Sequence, residues 1–370
     1  MKAIIARGPG QLTLEEVADP DVQPGSVLVR TRVTAVSAGT ELRMLYGPRD
    51  EPAGFGPGWP VVGAFGYLAS GDVVAVGSGV QGIAIGDRVA CGTTWGAHQE
   101  ILRVDAESVQ PLPSGLGYLE GACAYWAVPP LSGILAGHPE YYDDAAVIGL
   151  GPLGLAAVQM LVPVCRQVFA IDRIRARSRL AEGFGAVAID PAGDVAAEVR
   201  RLSPRRPGVV IQAAGSQGAL ELSLQIAREQ GVVVNVGTLP KLTDFSLFWP
   251  MQLAGVRVVP IHRPPGEESS GSHLGRALRA TLLPQVFDMV ARNRLDVRRL
   301  CSLVVPADDG PRAMAFLHDH PDRALGIAFA WHDDEISGQS EAERAVWDSA
   351  RQPESGEDTI VTAFSRKAAP

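Results

Sequence analysis

Three glycines within six residues, Gly149-Leu150-Gly151-Pro152-Leu153-Gly154, leave this chain little freedom of architecture. The pattern alone is common, but here an uncharged apolar run, 145–148, leads into it and a helix-compatible stretch, 155–161, follows it. At such a strand-to-helix turn each glycine has its own task. Gly149 allows the tight turn, Gly151 lets a pyrophosphate approach bare amides at a helix start, and Gly154 lets the helix close on the strand. Asp172 stands 18 residues beyond Gly154, at the end of the next apolar run, where a carboxylate accepts both ribose hydroxyls of a dinucleotide. A carboxylate repels a 2′-phosphate, so NAD is the expected cofactor. Arg173, Arg175 and Arg177 crowd the same turn, however, and a basic cluster there keeps NADP open.

The rhythm around the motif agrees. From residue 145, apolar runs recur about every 20 to 25 residues with helix-compatible segments between them, the βαβ pattern of a doubly wound parallel sheet. The predicted strands are 145–148, 167–171, 186–189, 209–212, 232–236 and 256–261, six in all, as in a complete dinucleotide fold. Earlier, short runs at 3–6, 26–36, 71–76, 87–90 and 100–104, each bounded by Gly, Pro or Asp, predict a β-rich domain over 1–130. A helix at 278–292 and a strand, helix and strand between 301 and 330 are expected to pack back on that domain, completing it over about 270–332. The dinucleotide domain then takes 131–269. The stretch 333–370 has few aliphatics and reads as a flexible acidic tail.

Charge and cysteines narrow the class further. The formal charge is −8, but nine acids and four bases fall within 333–370, so the acidity belongs mostly to the tail. The chain lacks the basic footprint that nucleic acid requires. Cys91, Cys123, Cys165 and Cys301 have no paired spacing, and no basic-then-apolar leader precedes the first strand, which points to a reducing cytoplasm. Residues 145–165 carry no charge over about the length that crosses a bilayer. Their three glycines and two prolines suit a turn rather than a span, so no membrane is expected.

A small-strand domain, a dinucleotide fold and a return to the first domain together resemble the medium-chain dehydrogenase/reductase superfamily, the alcohol dehydrogenase relatives, over about residues 1–332. The phrases Gly86-Asp87-Arg88-Val89, Gly96-Ala97-His98-Gln99-Glu100 and Gly231-Val232-Val233-Val234-Asn235-Val236-Gly237 carry the resemblance beside the glycine motif. It implies an α/β chain with a GroES-like β-rich catalytic domain and a Rossmann sheet. Zinc-dependent members bear Cys-Gly-Thr-Asp-x-His early in the chain and Gly-His-Glu later, whose cysteine and histidine bind the metal. The matching stretches here are Ala38-Gly39-Thr40-Glu41-Leu42-Arg43 and Gly66-Tyr67-Leu68. Alanine, tyrosine and leucine cannot build the coordination zinc requires, and Cys123 alone does not hold a catalytic metal, so none is expected. Ser37 to Glu41 and the tyrosine at position 67 resemble a zinc-less branch that includes the bacteriochlorophyllide a dehydrogenases.

Hydride transfer needs the oxygen of the reacting carbonyl stabilised as it becomes an alkoxide, so without a metal proton donors must do this. By resemblance, Thr40 matches the hydroxyl that bonds the substrate oxygen and Tyr67 places a phenol where the ligand histidine stands. Glu41 matches the acid behind that histidine and is expected to orient Tyr67. Arg43 matches a relay histidine, suited to lowering a phenol pKa or binding an anionic group. Positions 41, 43, 46 and 67 are expected on two loops that the family brings to one cleft. Tyr46, Trp95 and His98 are further candidates, the last read as an exposed loop residue. For the nicotinamide end the resemblance implies Leu153, then Val236, Gly237 and Thr238, and a strand end at residues 260–262 that includes Ile261.

The expected function is thus a zinc-independent NAD(P)-dependent interconversion of a secondary alcohol and a ketone. The six Gly or Pro residues between positions 47 and 60 suggest room for a sizeable metabolite. A zinc-free quinone or enoyl reductase and a nucleotide-binding protein without catalysis remain open. By resemblance, pairing of the sheet edge at 256–261 gives a homodimer.

Overall fold

A computed structural model of the chain describes residues 1–47, 62–92, 95–239, 242–261 and 272–337. The Gly- and Pro-rich stretch after Gly47, His262 and the tail beyond Ser337 lie outside the described residues. Two compact units emerge: 1–125 with 272–293 and 297–337, and 126–261 with 294–296.

The first part of the chain forms β1 (Lys2–Gly8), β2 (Gln11–Glu16), β3 (Ser26–Ala35), α1 (Ala38–Tyr46), β4 (Gly63–Ala64), β5 (Leu68–Val76), β6 (Arg88–Gly92), β7 (Ile101–Asp105), β8 (Val109–Pro111) and α2 (Tyr118–Cys123). The second unit contributes α3 (Val128–Gly137), β9 (Asp144–Ile148), α4 (Pro152–Leu161), β10 (Gln167–Ile171), α5 (Arg175–Gly183), β11 (Val187–Ile189), α6 (Val195–Leu202), β12 (Val209–Gln212), α7 (Gln217–Ile226), β13 (Val232–Asn235) and β14 (Arg257–Pro260). Beyond it come α8 (Ser272–Ala291), β15 (Leu303–Pro306), α9 (Gly310–Asp319), β16 (Ile327–Ala330) and α10 (Asp333–Ser337).

In the first unit, β3 organises the larger sheet, pairing with β5, β7 and the returning β16. Its alternating valines and threonines suit a pleated strand with a packed face, and Val27 and Val29 join Val73, Val89, Leu102 and Val104 in one core. Each such side chain contributes about 1.5–3 kcal/mol when removed from water. One helix, α1, replaces the loop expected to carry positions 41, 43 and 46. Ser37 at the α1 N-cap makes no side-chain capping bond, and Gly39 and Thr40 are poor helix formers, so the segment lacks a local helix signal. The tail expected to be flexible begins with an ordered turn. Arg32 on β3 bonds Glu335 at 3.0 Å and pairs with Asp334, which holds α10.

In the second unit the sheet order is β11-β10-β9-β12-β13-β14, every pair parallel. The chain winds outward from β9 through β10 and β11, then returns to lay β12, β13 and β14 on the other side. All five residues of β9 are buried, as a central parallel strand covered on both faces requires. The unit begins at Trp126 rather than after residue 130, because α3 packs on this sheet: a β-carbon on Gly133 or Gly137 would lie within 2.7 or 3.0 Å of Val234. Among the described residues, no helix is long and apolar enough to cross a membrane.

Candidate active site

In the second unit the glycine turn sits at the C-terminal end of β9, where the strand order reverses and open parallel sheets hold their ligands. Gly149 has φ +90°, and a β-carbon there would lie 2.5 Å from the Ala214 nitrogen. Gly154 backs directly on the Gly149 carbonyl, so any side chain would collide with it. Gly151 differs: it is the N-cap of α4 in extended conformation, Pro152 takes the first helical position, and open space lies where its side chain would be. The first amides of α4 therefore face a bare approach, the arrangement that binds a pyrophosphate. Leu153 is half-buried beside them.

Asp172 follows β10 and reaches back to this turn. One carboxylate oxygen accepts the Leu150 N–H at 2.6 Å, the other the Ile174 N–H at 2.7 Å. It does not cap the next helix, which starts at Arg175 with Ile174 as N-cap. Arg177 lies 4.0 Å from it, while Arg173 is exposed and Arg175 pairs with Asp190. Val236 and Gly237 are buried and both donate their N–H to the Gln212 carbonyl, which ties the ends of β12 and β13 together. Thr238 and Ile261 are half-buried at the ends of β13 and β14.

Two residues escaped the sequence analysis here. Gln212 Oε1 accepts the Gly215 N–H at 3.1 Å, and its Nε2 is buried without a hydrogen-bond partner. Asn235 gives Nδ2 to the Gly237 carbonyl at 3.0 Å and leaves Oδ1 buried and likewise without a hydrogen bond. Buried polar atoms left this way at the ligand end of a parallel sheet suit a dinucleotide that would complete them. A polar residue terminating an all-apolar strand was their one sequence signal. The open turn, the Asp172 carboxylate and these two atoms fit NAD(P).

In the first unit, Thr40, Glu41, Arg43 and Tyr46 all lie on α1, not on a loop. Glu41 is fully buried: Oε1 accepts the Ser37 N–H at 2.8 Å, and Oε2 lies 2.9 Å from His98 Nε2. Both Glu41 oxygens thus have partners, the Ser37 backbone and the His98 ring, whereas the expectation of an exposed His98 is corrected, since that residue is 1% exposed. Tyr67 is half-buried and meets Trp95 edge-on at 5.7 Å; Trp95 in turn stacks on Phe65. Tyr46 leaves this group and stacks on His318 at 3.8 Å. Thr40 and Arg43 are half-buried on the same helix as Glu41.

The positions that would ligate zinc do not fit it. Ala38 and Leu68 offer no ligand atom and Tyr67 a neutral phenol. Cys123 is buried, and burial together with the neighbouring Cys301 thiol pushes its pKa up. Among the described residues, no three His, Cys, Asp or Glu side chains are grouped to hold an ion.

Two family models match the chain. The zinc-binding dehydrogenase model covers residues 152–269, and the alcohol dehydrogenase GroES-like domain model covers 23–132. The (R,R)-butanediol dehydrogenase of Bacillus subtilis (strain 168) is 26% identical over 65% of this chain and 78% of its own length. The D-guloside 3-dehydrogenase of Escherichia coli (strain K12) is 25% identical over 89% of this chain and 100% of its own. Among solved structures, alcohol dehydrogenase TADH from Thermus sp. ATN1 shares the fold with a TM-score of 0.73 at 24% identity, covering 89% of this chain and 99% of that one. The chain thus belongs to the medium-chain dehydrogenase/reductase superfamily, the alcohol dehydrogenase-like proteins.

Proposed function

We propose that this chain is an NAD(P)-dependent oxidoreductase that interconverts a secondary alcohol and a ketone on a sizeable metabolite, with side-chain donors in place of a catalytic metal. The observation that carries the reading is the open approach at Gly151 above the N-terminus of α4, closed in behind by Gly149 and Gly154. Gly149, Gly151, Pro152, Leu153 and Gly154 cradle the pyrophosphate. Asp172 takes the adenosine ribose, with Arg173 and Arg177 at the same turn, and its charge favours NAD. Leu153, Val236, Gly237, Thr238 and Ile261 hold the nicotinamide end. Bound coenzyme supplies or accepts the hydride.

On the first unit, Thr40 and Tyr67 donate hydrogen bonds to the reacting oxygen and Thr40 passes its proton on. Arg43 contributes positive charge to the same helix. Glu41 holds the start of α1 through Ser37. Support for metal independence is the chemistry at positions 38, 67 and 68, and support for a large substrate is the Gly and Pro content after Gly47. Calorimetric titration with NADH and NADPH, followed by NADH consumption on tetrapyrrole, aminosugar and polyketide ketones, tests the reading. Binding of NADH with turnover of at least one ketone is expected; no heat from either dinucleotide would defeat it.

The same reading includes a cytoplasmic homodimer. The outer edge of β14 has no neighbour among the described residues. Just before it, Leu247, Phe248, Trp249 and Leu253 are exposed beside a groove of about 450 Å³. An exposed apolar patch next to an open sheet edge is suited to a second copy. Sedimentation that found only monomer at micromolar concentration would remove it.

A further inference from the structure

His98 touches three stretches of chain that are far apart in sequence. Its Nε2 meets the Glu41 carboxylate at 2.9 Å, on the helix that carries Thr40. Its ring lies against Gly66, the neighbour of Tyr67. Gly66 has φ +79°, and any β-carbon there would fall on the imidazole, so glycine is required twice over. The backbone fastens the same contact: the His98 N–H donates to the Phe65 carbonyl at 2.9 Å and the Ala97 N–H to the Gly66 carbonyl at 3.0 Å. Phe329 meets the ring edge-on at 4.8 Å and closes it from water.

The hydrogen-bond network assigns the proton. Nδ1 is buried without a hydrogen-bond partner, whereas Nε2 faces a carboxylate oxygen. Hydrogen on Nε2 makes a charge-assisted bond and leaves only an acceptor unpaired. Hydrogen on Nδ1 alone would strand a buried donor and set a lone pair against the carboxylate.

We propose that His98 is a positioning residue: through Nε2–H to Glu41 and through its ring under Gly66, it sets Thr40 and Tyr67 in one fixed relation for the reaction proposed above. The proposal rests on that reading for its purpose, but its geometry can be tested alone. A glutamine side chain carries its N–H at the reach of Nε2, and an asparagine only at that of Nδ1. His98→Gln and His98→Asn are therefore polar variants of similar burden on folding that differ in whether they reach Glu41.

The experiment labels the full-length protein with 3-fluorotyrosine, assigns the Tyr67 fluorine resonance by its absence in Tyr67→Phe, and compares the two variants. With NADH and a ketone-bearing tetrapyrrole as the kinetic probe, kcat, KM and the NADH dissociation constant are read as well. His98→Asn is expected to shift or broaden the Tyr67 line, lower kcat about 100-fold and leave NADH affinity within about twofold, as misplacement of donors does. His98→Gln is expected to restore the line and most of kcat. Equal behaviour of the two variants in the fluorine spectrum, whether both match the wild type or both depart from it, would overturn the proposal. Absence of turnover in the wild type would count against the proposed function alone, because the fluorine comparison still decides the role of His98.

Discussion

The glycine turn of the second unit and the α1 region of the first differ in how they are built. At the turn, the determinants are backbone: a positive φ at Gly149, an open face at Gly151, a carbonyl against Gly154. They lie within six residues and leave a mark in sequence. Around α1 the determinants are side chains that meet across 57 residues, as Glu41 and His98 do, with Gly66 between them. On our proposal the first arrangement binds a group common to every dinucleotide. The second shapes the place where, on the same reading, one particular substrate reacts.

The contrast can be broken most forcefully at Gly154. Gly154→Val drives a side chain into the Gly149 carbonyl, and should abolish NADH binding with a stability loss of about 4 kcal/mol or more. Gly151→Ala faces open space, so the melting temperature should hold while NADH affinity, read by fluorescence titration, falls about tenfold, or roughly 1.4 kcal/mol. Wild-type affinity in Gly151→Ala would mean that the open face is not the phosphate site.

On the other side of the comparison the donors should show effects second only to Gly154→Val. Tyr67→Phe and Thr40→Val should each lower kcat about 10²- to 10³-fold with NADH affinity unchanged, the cost of removing one donor to a developing oxyanion. Asp172→Asn should reduce the preference for NADH over NADPH by about tenfold, through loss of a charged acceptor and of its repulsion toward a 2′-phosphate. An unchanged ratio of the two affinities would move cofactor selection to Arg173 and Arg177.

The smallest expected effect concerns α10. Burial pushes the Asp334 carboxyl up, but the hydrogen bond and charge of Arg32 outweigh it and hold the group below its usual range. A carboxyl depressed in the folded state stabilises above its unfolded pKa, near 3.9, and loses that contribution as pH falls through the lower folded value. Amide protection over 333–337 should therefore decline in that acid window, and Arg32→Gln should remove the pH dependence. Asp334 is itself 64% exposed, so the change is slight.

What was legible follows the same division. The strands at 167–171 and 209–212 stand where the apolar runs place them, because a buried parallel strand is written as an uninterrupted hydrophobic run. Spacing put Asp172 just past the second strand, and it stands there with a bond back to the glycine turn. The helix α1 was not legible, since its start has no side-chain cap and contains Gly39. Nor was the burial of His98. A histidine between two polar turns reads as exposed, and only the return of residues 97 and 98 beside 65 and 66 puts it under Gly66 and onto Glu41. Gln212 and Asn235 were placed on strands, but a polar residue at a strand end gives no sign that one of its atoms will be buried without a hydrogen bond once the neighbouring strands cover it.

The central claim is that side chains of the first unit, without a metal ion, polarise the reacting oxygen. Turnover by protein stripped of metal through exhaustive chelation, with its zinc content measured, tests this most directly. The account predicts that the rate of NADH consumption per molecule is retained at trace zinc and is not raised when zinc is restored. A rate lost on stripping and recovered with one equivalent of zinc would contradict it.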